Sequence, residues 1–240
     1  MAAKMKKLLF IIILLTGAVC YLRQPEYCSI AIGQNTYEIY EKNNYLYAKK
    51  GYKKQKVIHE KIIDYKVYDI DGDQTEEILV ITHIGDQLYG GDFIVFDTES
   101  VKDQIVTKEI YREDFSAIKP WKVSACNLDN DGEADIFIGV HKDTVFYKDE
   151  RNRPFFYSWD GKSLKKKWLG SFFTDWELVD ITFGDFFNLG YDAAAILEKR
   201  NDEYRVGIYK FIGFGFENMY TSKIYRDLNS IRKEYRNINY

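Results

Sequence analysis

A chain of 240 residues holds one ordinary domain or a short array of repeats. Its 46% hydrophobic and 30% charged residues mark a globular protein and exclude a disordered or collagen-like one. A formal charge of −3 and a pI near 5.8 exclude the basic footprint of a general nucleic-acid binder. Aromatic residues make up 17% of the chain, a bias that favours strands over helices.

The N-terminus reads as a targeting segment. Lys4, Lys6 and Lys7 precede an apolar to weakly polar run from Leu8 to Val19, and the small residues Thr16, Gly17 and Ala18 follow its most apolar part. That order is the pattern of an export signal. The run is shorter than the about 20 residues of a membrane-spanning helix. Cleavage after Ala18, lipid attachment at Cys20 and retention as an anchor all remain open; Val19 stands where a lipid-attachment pattern has a small residue. The expectation is a signal or anchor helix within residues 1–27, with the rest exported to the cell surface or another extracytoplasmic site. Cys20, Cys28 and Cys126 are too few for a disulfide framework. Pairing of Cys28 with Cys126 is open, and a buried free thiol is expected for Cys126. No Cys/His spacing resembles a zinc site.

Residues 28–63 hold strand-like pieces at Thr36–Tyr40, Tyr45–Lys49 and Lys56–Lys61. Beyond them the chain repeats itself. Asp69-Ile-Asp71-Gly-Asp73-Gln-Thr75-Glu-Glu77 and Asn127-Leu-Asp129-Asn-Asp131-Gly-Glu133-Ala-Asp135 start 58 positions apart (127 minus 69). Another 58 positions on lies Asp185, in Gly184-Asp185-Phe-Phe-Asn188-Leu-Gly190-Tyr-Asp192, a worn copy of the same loop. Each loop follows a strand (Tyr65–Tyr68, Trp121–Cys126, Glu177–Phe183) and precedes three more. These are Glu77–Thr82, Asp92–Asp97 and Gln104–Tyr111; then Asp135–His141, Pro154–Asp160 and Leu164–Phe172; then Asp192–Glu198, Tyr204–Phe211 and Phe216–Ile224. Trp159-Asp160-Gly161-Lys162 is a tight-turn signal. A fixed period of this length marks a repeat architecture. A four-stranded unit cannot bury both faces alone, and radial stacking of such units buries them. The prediction is an all-β fold, a small propeller of about four antiparallel blades at roughly 28–63, 64–120, 121–175 and 176–226. Residues 227–240 form a tail, either a short helix or a closing strand. Lys165-Lys166-Lys167 reads as a solvated strand edge guarded by lysines.

The acidic loops suit Ca²⁺, a hard cation that takes roughly six to eight oxygen ligands. In the first, Asp69, Asp71 and Asp73 offer side-chain oxygens, Thr75 its backbone carbonyl, and Glu77 closes the shell. In the second, Asn127, Asp129 and Asp131 take the first three parts, Glu133 the carbonyl and Asp135 the closing carboxylate. Gly132 suits the sharp turn at position six, where Gln74 is less comfortable in the first loop. Phe187 and Leu189 fill ligand positions of the third, so two sites are expected and no third. The competing reading is three polar hairpin turns, since Asp, Asn and Gly favour turns for local reasons.

Val67 to Val80 and Ala125 to Ile138 resemble the FG-GAP/VCBS repeats of integrin-α-like β-propellers. Gly184-Asp185-Phe186 with Gly190-Tyr-Asp192 looks like a degenerate member, and Phe156 to Gly161 and Tyr209 to Phe214 look like the hairpins such repeats carry downstream. The resemblance covers about residues 64–216. It implies a propeller with Ca²⁺ in inter-strand loops and a secreted or surface-anchored protein. It implies little about activity, because such propellers serve adhesion, sugar binding, accessory roles and enzymes. Many relatives carry more blades than this chain has room for.

His83 and His141 are again 58 apart, and His59 stands outside the repeat. As a pair facing a shared channel they could act as acid/base groups or ligands; as residues without an orienting partner visible in sequence they are inherited repeat similarity. No nucleophile elbow or phosphate-cradling loop occurs. Trp121, Trp159, Trp168 and Trp176 are candidates either for docking a sugar at a rim or for the core between blades. The functional expectation is an exported, Ca²⁺-stabilised, non-catalytic binding or adhesion module whose partner is an extracellular protein or glycan. The alternative is an exported enzyme, possibly acting on polysaccharide, with its site in the propeller funnel.

Overall fold

The computed structural model describes residues 28–238. The expected N-terminal signal or anchor helix lies outside the described residues. Sixteen strands form four sheets, each a four-stranded antiparallel meander in chain order. Blade 1 is β1 (Cys28–Ile32), β2 (Asn35–Lys42), β3 (Tyr45–Lys50) and β4 (Lys53–Lys56). Blade 2 is β5 (Ile62–Tyr68), β6 (Glu77–His83), β7 (Gly90–Val101) and β8 (Gln104–Asp114). Blade 3 is β9 (Pro120–Cys126), β10 (Asp135–Lys142), β11 (Arg151–Trp159) and β12 (Leu164–Leu169). Blade 4 is β13 (Glu177–Gly184), β14 (Ala193–Arg200), β15 (Glu203–Phe211) and β16 (Phe216–Thr221). The expected all-β, four-bladed propeller is therefore what the chain forms. A short 3-10 turn at Ser116–Ile118 and a C-terminal helix α1 (Leu228–Ile238) are the only helical segments among the described residues.

Burial follows from the strand periods. The second strands β6, β10 and β14 are almost wholly apolar and buried on both faces, as central strands must be when a sheet is packed from both sides. Ile30, Ile39 and Leu46 of blade 1 pack on Val67, Ile78 and Ile94 of blade 2. Leu79, Phe93 and Val95, on the other face of blade 2, pack on Val123, Ile136 and Tyr157 of blade 3. Phe137 and Phe156, on the far face of blade 3, meet Ile181, Ile196 and Tyr209 of blade 4. The outer face of blade 4 is covered by α1, with Ile231 and Tyr235 set against Ala195, Val206 and Ile208. The helix thus takes, on blade 4, the place a neighbouring blade takes at the other interfaces. Inner strand β9 lies against both β5 and β13.

One expected strand is displaced. Lys56–Lys61 does not extend as a strand: β4 ends at Lys56, and Val57 and Ile58 turn inward as a buried link to blade 2, with Val57 N–H donating to the Leu46 carbonyl at 2.9 Å. An apolar pair flanked by lysines has the composition of a strand end and of a buried connection alike. The tight turn after Trp159 is present, with Asp160 Oδ1 accepting from the amides of Lys162 (3.0 Å) and Ser163 (2.7 Å). Cys28 and Cys126 are both free thiols, and Cys126 is fully buried. All four tryptophans belong to the packing between elements: Trp159 and Trp176 are buried, while Trp121 and Trp168 pack against the core between blades 3 and 4. The Trp121 ring lies over Gly139, where a Cβ would come within 2.7 Å of the indole.

Candidate functional site

In blades 2, 3 and 4 the loops that join first and second strands share one backbone. Positions four and six adopt left-handed φ in each: Gly72 and Gln74, Asn130 and Gly132, Asn188 and Gly190. Only glycine takes that region without cost, and Asn tolerates it, so Gln74 at φ +72° carries the local strain of the first loop. Position one ties each turn together. Asp69 accepts from the amides of Gly72 (2.7 Å) and Gln74 (3.0 Å), Asn127 from Asn130 (2.8 Å), and Asp185 from Leu189 (2.6 Å) and Gly190 (2.8 Å). Position nine closes the first two loops alike: Glu77 accepts from the Ile70 amide and Asp135 from the Leu128 amide, both at 2.9 Å. The third loop has Ala193 there; its neighbour Asp192 instead accepts from the Asn127 amide at 2.8 Å and ties blade 4 to the second loop.

The first two loops differ in what balances their charge. In the first, oxygens of Asp69, Asp71 and Glu77 lie within 4.8 Å of one another. Among the described residues no Lys, Arg or His nitrogen pairs with Asp69, Asp71, Asp73 or Glu77. Burial, with Asp71, Asp69 and Asp73 close by, pushes the Glu77 carboxyl up to about 7. A hard, oxygen-rich and unneutralised donor set fits a divalent cation. In the second loop the cation is a side chain. Lys167 Nζ stands 2.7 Å from Asp135 Oδ1, 2.9 Å from Asp129 Oδ1 and 3.3 Å from Asp131 Oδ2. Burial works against this ammonium, but Asp135 and Asp129 outweigh it and hold Lys167 protonated well above its ordinary range. A metal does not fit at that focus beside the ammonium. Of the three lysines in the run, Lys165 and Lys166 are exposed along the edge strand, whereas the Lys167 side chain is only 12% exposed. Strict alternation would place Lys167 on the same face as Lys165, so the sequence carries no signal for its inward turn.

At the opposite end of the blades, where second strands turn into third strands, an open cleft of about 300 Å³ is lined by Tyr89, His141, Glu150, Arg151, Asn152 and Glu177. His141 and Asn152 face each other in the β10–β11 register, with Nδ1 and Oδ1 3.0 Å apart. Asn152 Nδ2 donates to the Leu178 carbonyl at 2.9 Å, which fixes the amide so that Oδ1 accepts. His141 therefore carries its proton on Nδ1 and presents Nε2 toward Glu150, 4.0 Å away. Tyr89 stacks on the imidazole at 4.7 Å between centroids, and Lys119, 2.7 Å from Glu150, holds that carboxyl below its usual range. His83 repeats the backbone setting of His141: its amide bonds Lys61 O as that of His141 bonds Lys119 O. Its partner in register is Gly90, and its buried Nδ1 has no hydrogen-bond partner. His141 lines the cleft and His83 is not among the lining residues, and His59 lies exposed in a linker.

The loop beside the cleft is built to display apolar side chains. Arg153, fully buried, donates to the carbonyls of Lys142 (2.9 Å), Ser171 (2.7 Å) and Asp149 (2.9 Å) and so anchors its stem. Thr144 and Tyr147 close a turn through Thr144 N–H to Tyr147 O (2.8 Å) and Tyr147 N–H to Thr144 Oγ1 (3.1 Å). Tyr147 rests edge-on against Phe172. The apex residues Val145 and Phe146 are left 80% and 88% exposed, and Leu88, the repeat equivalent of Phe146, is 67% exposed. Asn152, Glu150, Arg153 and this apex escaped sequence reasoning, since their roles arise from cross-strand register. Among the described residues no helix is long and apolar enough to cross a membrane. No protein-family model matches the chain, and no curated protein matches it.

Proposed function

We propose that the chain is an exported, Ca²⁺-stabilised binding module of the FG-GAP/VCBS type, anchored or released at the cell surface, whose partner is an extracellular protein or glycan. The observation that carries the binding role is the displayed rim: Val145, Phe146 and Leu88 stand exposed on the same two hairpin loops that line the Tyr89–His141 cleft. Exposed apolar side chains grouped at the rim of a cleft are the kind of patch that serves as an interaction site. The proposed metal role falls to the first loop, where Asp69, Asp71, Asp73, the Thr75 carbonyl and Glu77 would hold Ca²⁺. The ion would supply charge balance and rigidity at the blade 2 turn and no chemistry at the cleft on the other face.

The test is co-sedimentation of residues 28–240 with insoluble cell-wall glycan, chitin and cellulose, beside cross-linking to intact cells whose surface proteins are intact or protease-stripped. Binding that falls at least tenfold in a Leu88→Ser, Val145→Ser, Phe146→Ser variant of unchanged melting temperature supports the reading. Unchanged binding by that variant contradicts it. Retained binding to stripped cells assigns the partner to glycan, and loss assigns it to protein. A second reading, an exported polysaccharide-acting enzyme, is favoured by one observation: His141 is oriented by Asn152 and faces Glu150, an acid/base arrangement. Release of reducing ends from a soluble polysaccharide, abolished by His141→Ala, would establish it.

A further inference from the structure

Three blades carry the same irregularity in their outer strand. The register passes from Val95↔Tyr111 to Phe96↔Glu109 in blade 2, from Phe156↔Trp168 to Tyr157↔Lys166 in blade 3, and from Ile208↔Tyr220 to Tyr209↔Asn218 in blade 4. Each step leaves one outer-strand residue unpaired: Ile110, Lys167 and Met219. A bulge of this kind bends the strand and re-aims the inserted side chain. Ile110 and Met219 are 40% and 43% exposed and carry no charge. Lys167 alone brings an ammonium, which donates to Asp129 Oδ1 at 2.9 Å and Asp131 Oδ2 at 3.3 Å and stands in ion-pair contact with Asp135 Oδ1 at 2.7 Å.

The geometry points to Lys167 as a tethered cation that takes the place of the metal in the second loop, so that this loop stays closed without Ca²⁺. Ca²⁺ needs carboxylate oxygens at about 2.3–2.6 Å around the point the ammonium occupies. Two like-charged centres cannot share that focus. The chain then carries two versions of one loop: in blade 2 the bulge residue is Ile110 and the acidic cluster has no internal cation among the described residues; in blade 3 the bulge residue fills it. The second loop also joins blade 3 to blade 4 through Asn127 and Asp192, by amide to carboxylate at 2.8 Å and by Asp192 N–H to Asn127 O at 2.6 Å. Lys167 therefore makes that junction insensitive to withdrawal of Ca²⁺. The comparison between loops rests on the proposed metal role of the first, but the state of the second does not.

The experiment silences the first loop with Asp71→Asn and measures Ca²⁺ by equilibrium dialysis and thermal melts, in chelator and in about 5 mM Ca²⁺, with and without Lys167→Met. The expected result is no bound Ca²⁺ and no melting shift for Asp71→Asn alone. The double variant should bind one Ca²⁺ per chain with a Kd of about 10⁻⁴–10⁻³ M and melt several degrees higher with the ion. Retained binding in Asp71→Asn that disappears on adding Asp129→Asn, or no gain in the double variant, overturns the inference. No binding by the wild type together with a gain in Lys167→Met defeats the metal role of the first loop and leaves the lysine's role standing. A second measurement needs no variant. Amine acetylation of the wild type, read by peptide mass spectrometry, should label Lys167 at least tenfold more slowly than Lys165 and Lys166 with and without Ca²⁺. Fast labelling of Lys167, or labelling released by Ca²⁺, overturns the inference where Lys167→Met does not fold.

Discussion

Replacing Glu77 by Gln tests the charge balance of the first loop. The side chain is 3% exposed, and its carboxyl is pushed from 4.5 up to about 7. A rise of this size corresponds to about 3 kcal/mol, at about 1.4 kcal/mol per unit. The sign follows from proton counting. Between pH 4.5 and 7 the native state binds the Glu77 proton more tightly than the unfolded chain does, so metal-free stability falls as pH rises through that window and levels off above it. Glu77→Gln keeps the shape and removes the titration. In urea melts of metal-free protein from pH 5 to 8, the wild type should lose stability relative to Glu77→Gln by up to about 3 kcal/mol. In the wild type, Ca²⁺ must displace the proton, so its affinity should weaken about tenfold per unit below pH 7. Parallel stability curves for the two proteins would refute the reasoning, because they would mean that Glu77 is already ionised and neutralised in the native state.

Further outcomes follow from other contacts. At about 100-fold excess over Kd, Ca²⁺ should stabilise the wild type by about 2.7 kcal/mol; Asp71→Asn should abolish this in thermal melts, and Asp185→Asn should leave it unchanged. Gln74→Gly should relieve the left-handed strain at φ +72° and raise stability by roughly 1 kcal/mol in a urea titration. Ile231→Ala empties a fully buried position between α1 and blade 4 and should cost about 2–4 kcal/mol, lowering the melting temperature by roughly 5–12 °C. Asn152→Ala leaves His141 Nδ1 and the Leu178 carbonyl without their partner and should cost about 1–3 kcal/mol.

The blades were legible because their signal is local and repeated. Each second strand is a continuous apolar run after an acidic turn, and the offset of 58 recurs from Asp69 to Asn127 to Asp185, from His83 to His141, and in the linker carbonyls of Lys61 and Lys119 that bind those histidines. The loop backbone was legible for the same reason, since Gly and Asn mark its left-handed positions. Lys167 was not, because its direction depends on a bulge that exists only once β12 pairs with β11. Nor was the orientation of His141, which depends on Asn152 lying opposite it across a hairpin with an eight-residue loop, residues 143–150. The buried link at Val57 and Ile58 reads as strand because composition alone does not separate an apolar connection from an apolar strand end.

The central claim is that the two acidic loops hold different cations, a metal in the first and Lys167 in the second. A crystal structure grown in millimolar Tb³⁺, which substitutes for Ca²⁺ and scatters anomalously, tests it directly. The account predicts one anomalous peak among Asp69, Asp71, Asp73, the Thr75 carbonyl and Glu77, with Lys167 Nζ among Asp129, Asp131 and Asp135. A peak in the second loop with Lys167 swung out to solvent, or no peak in the first, would contradict it.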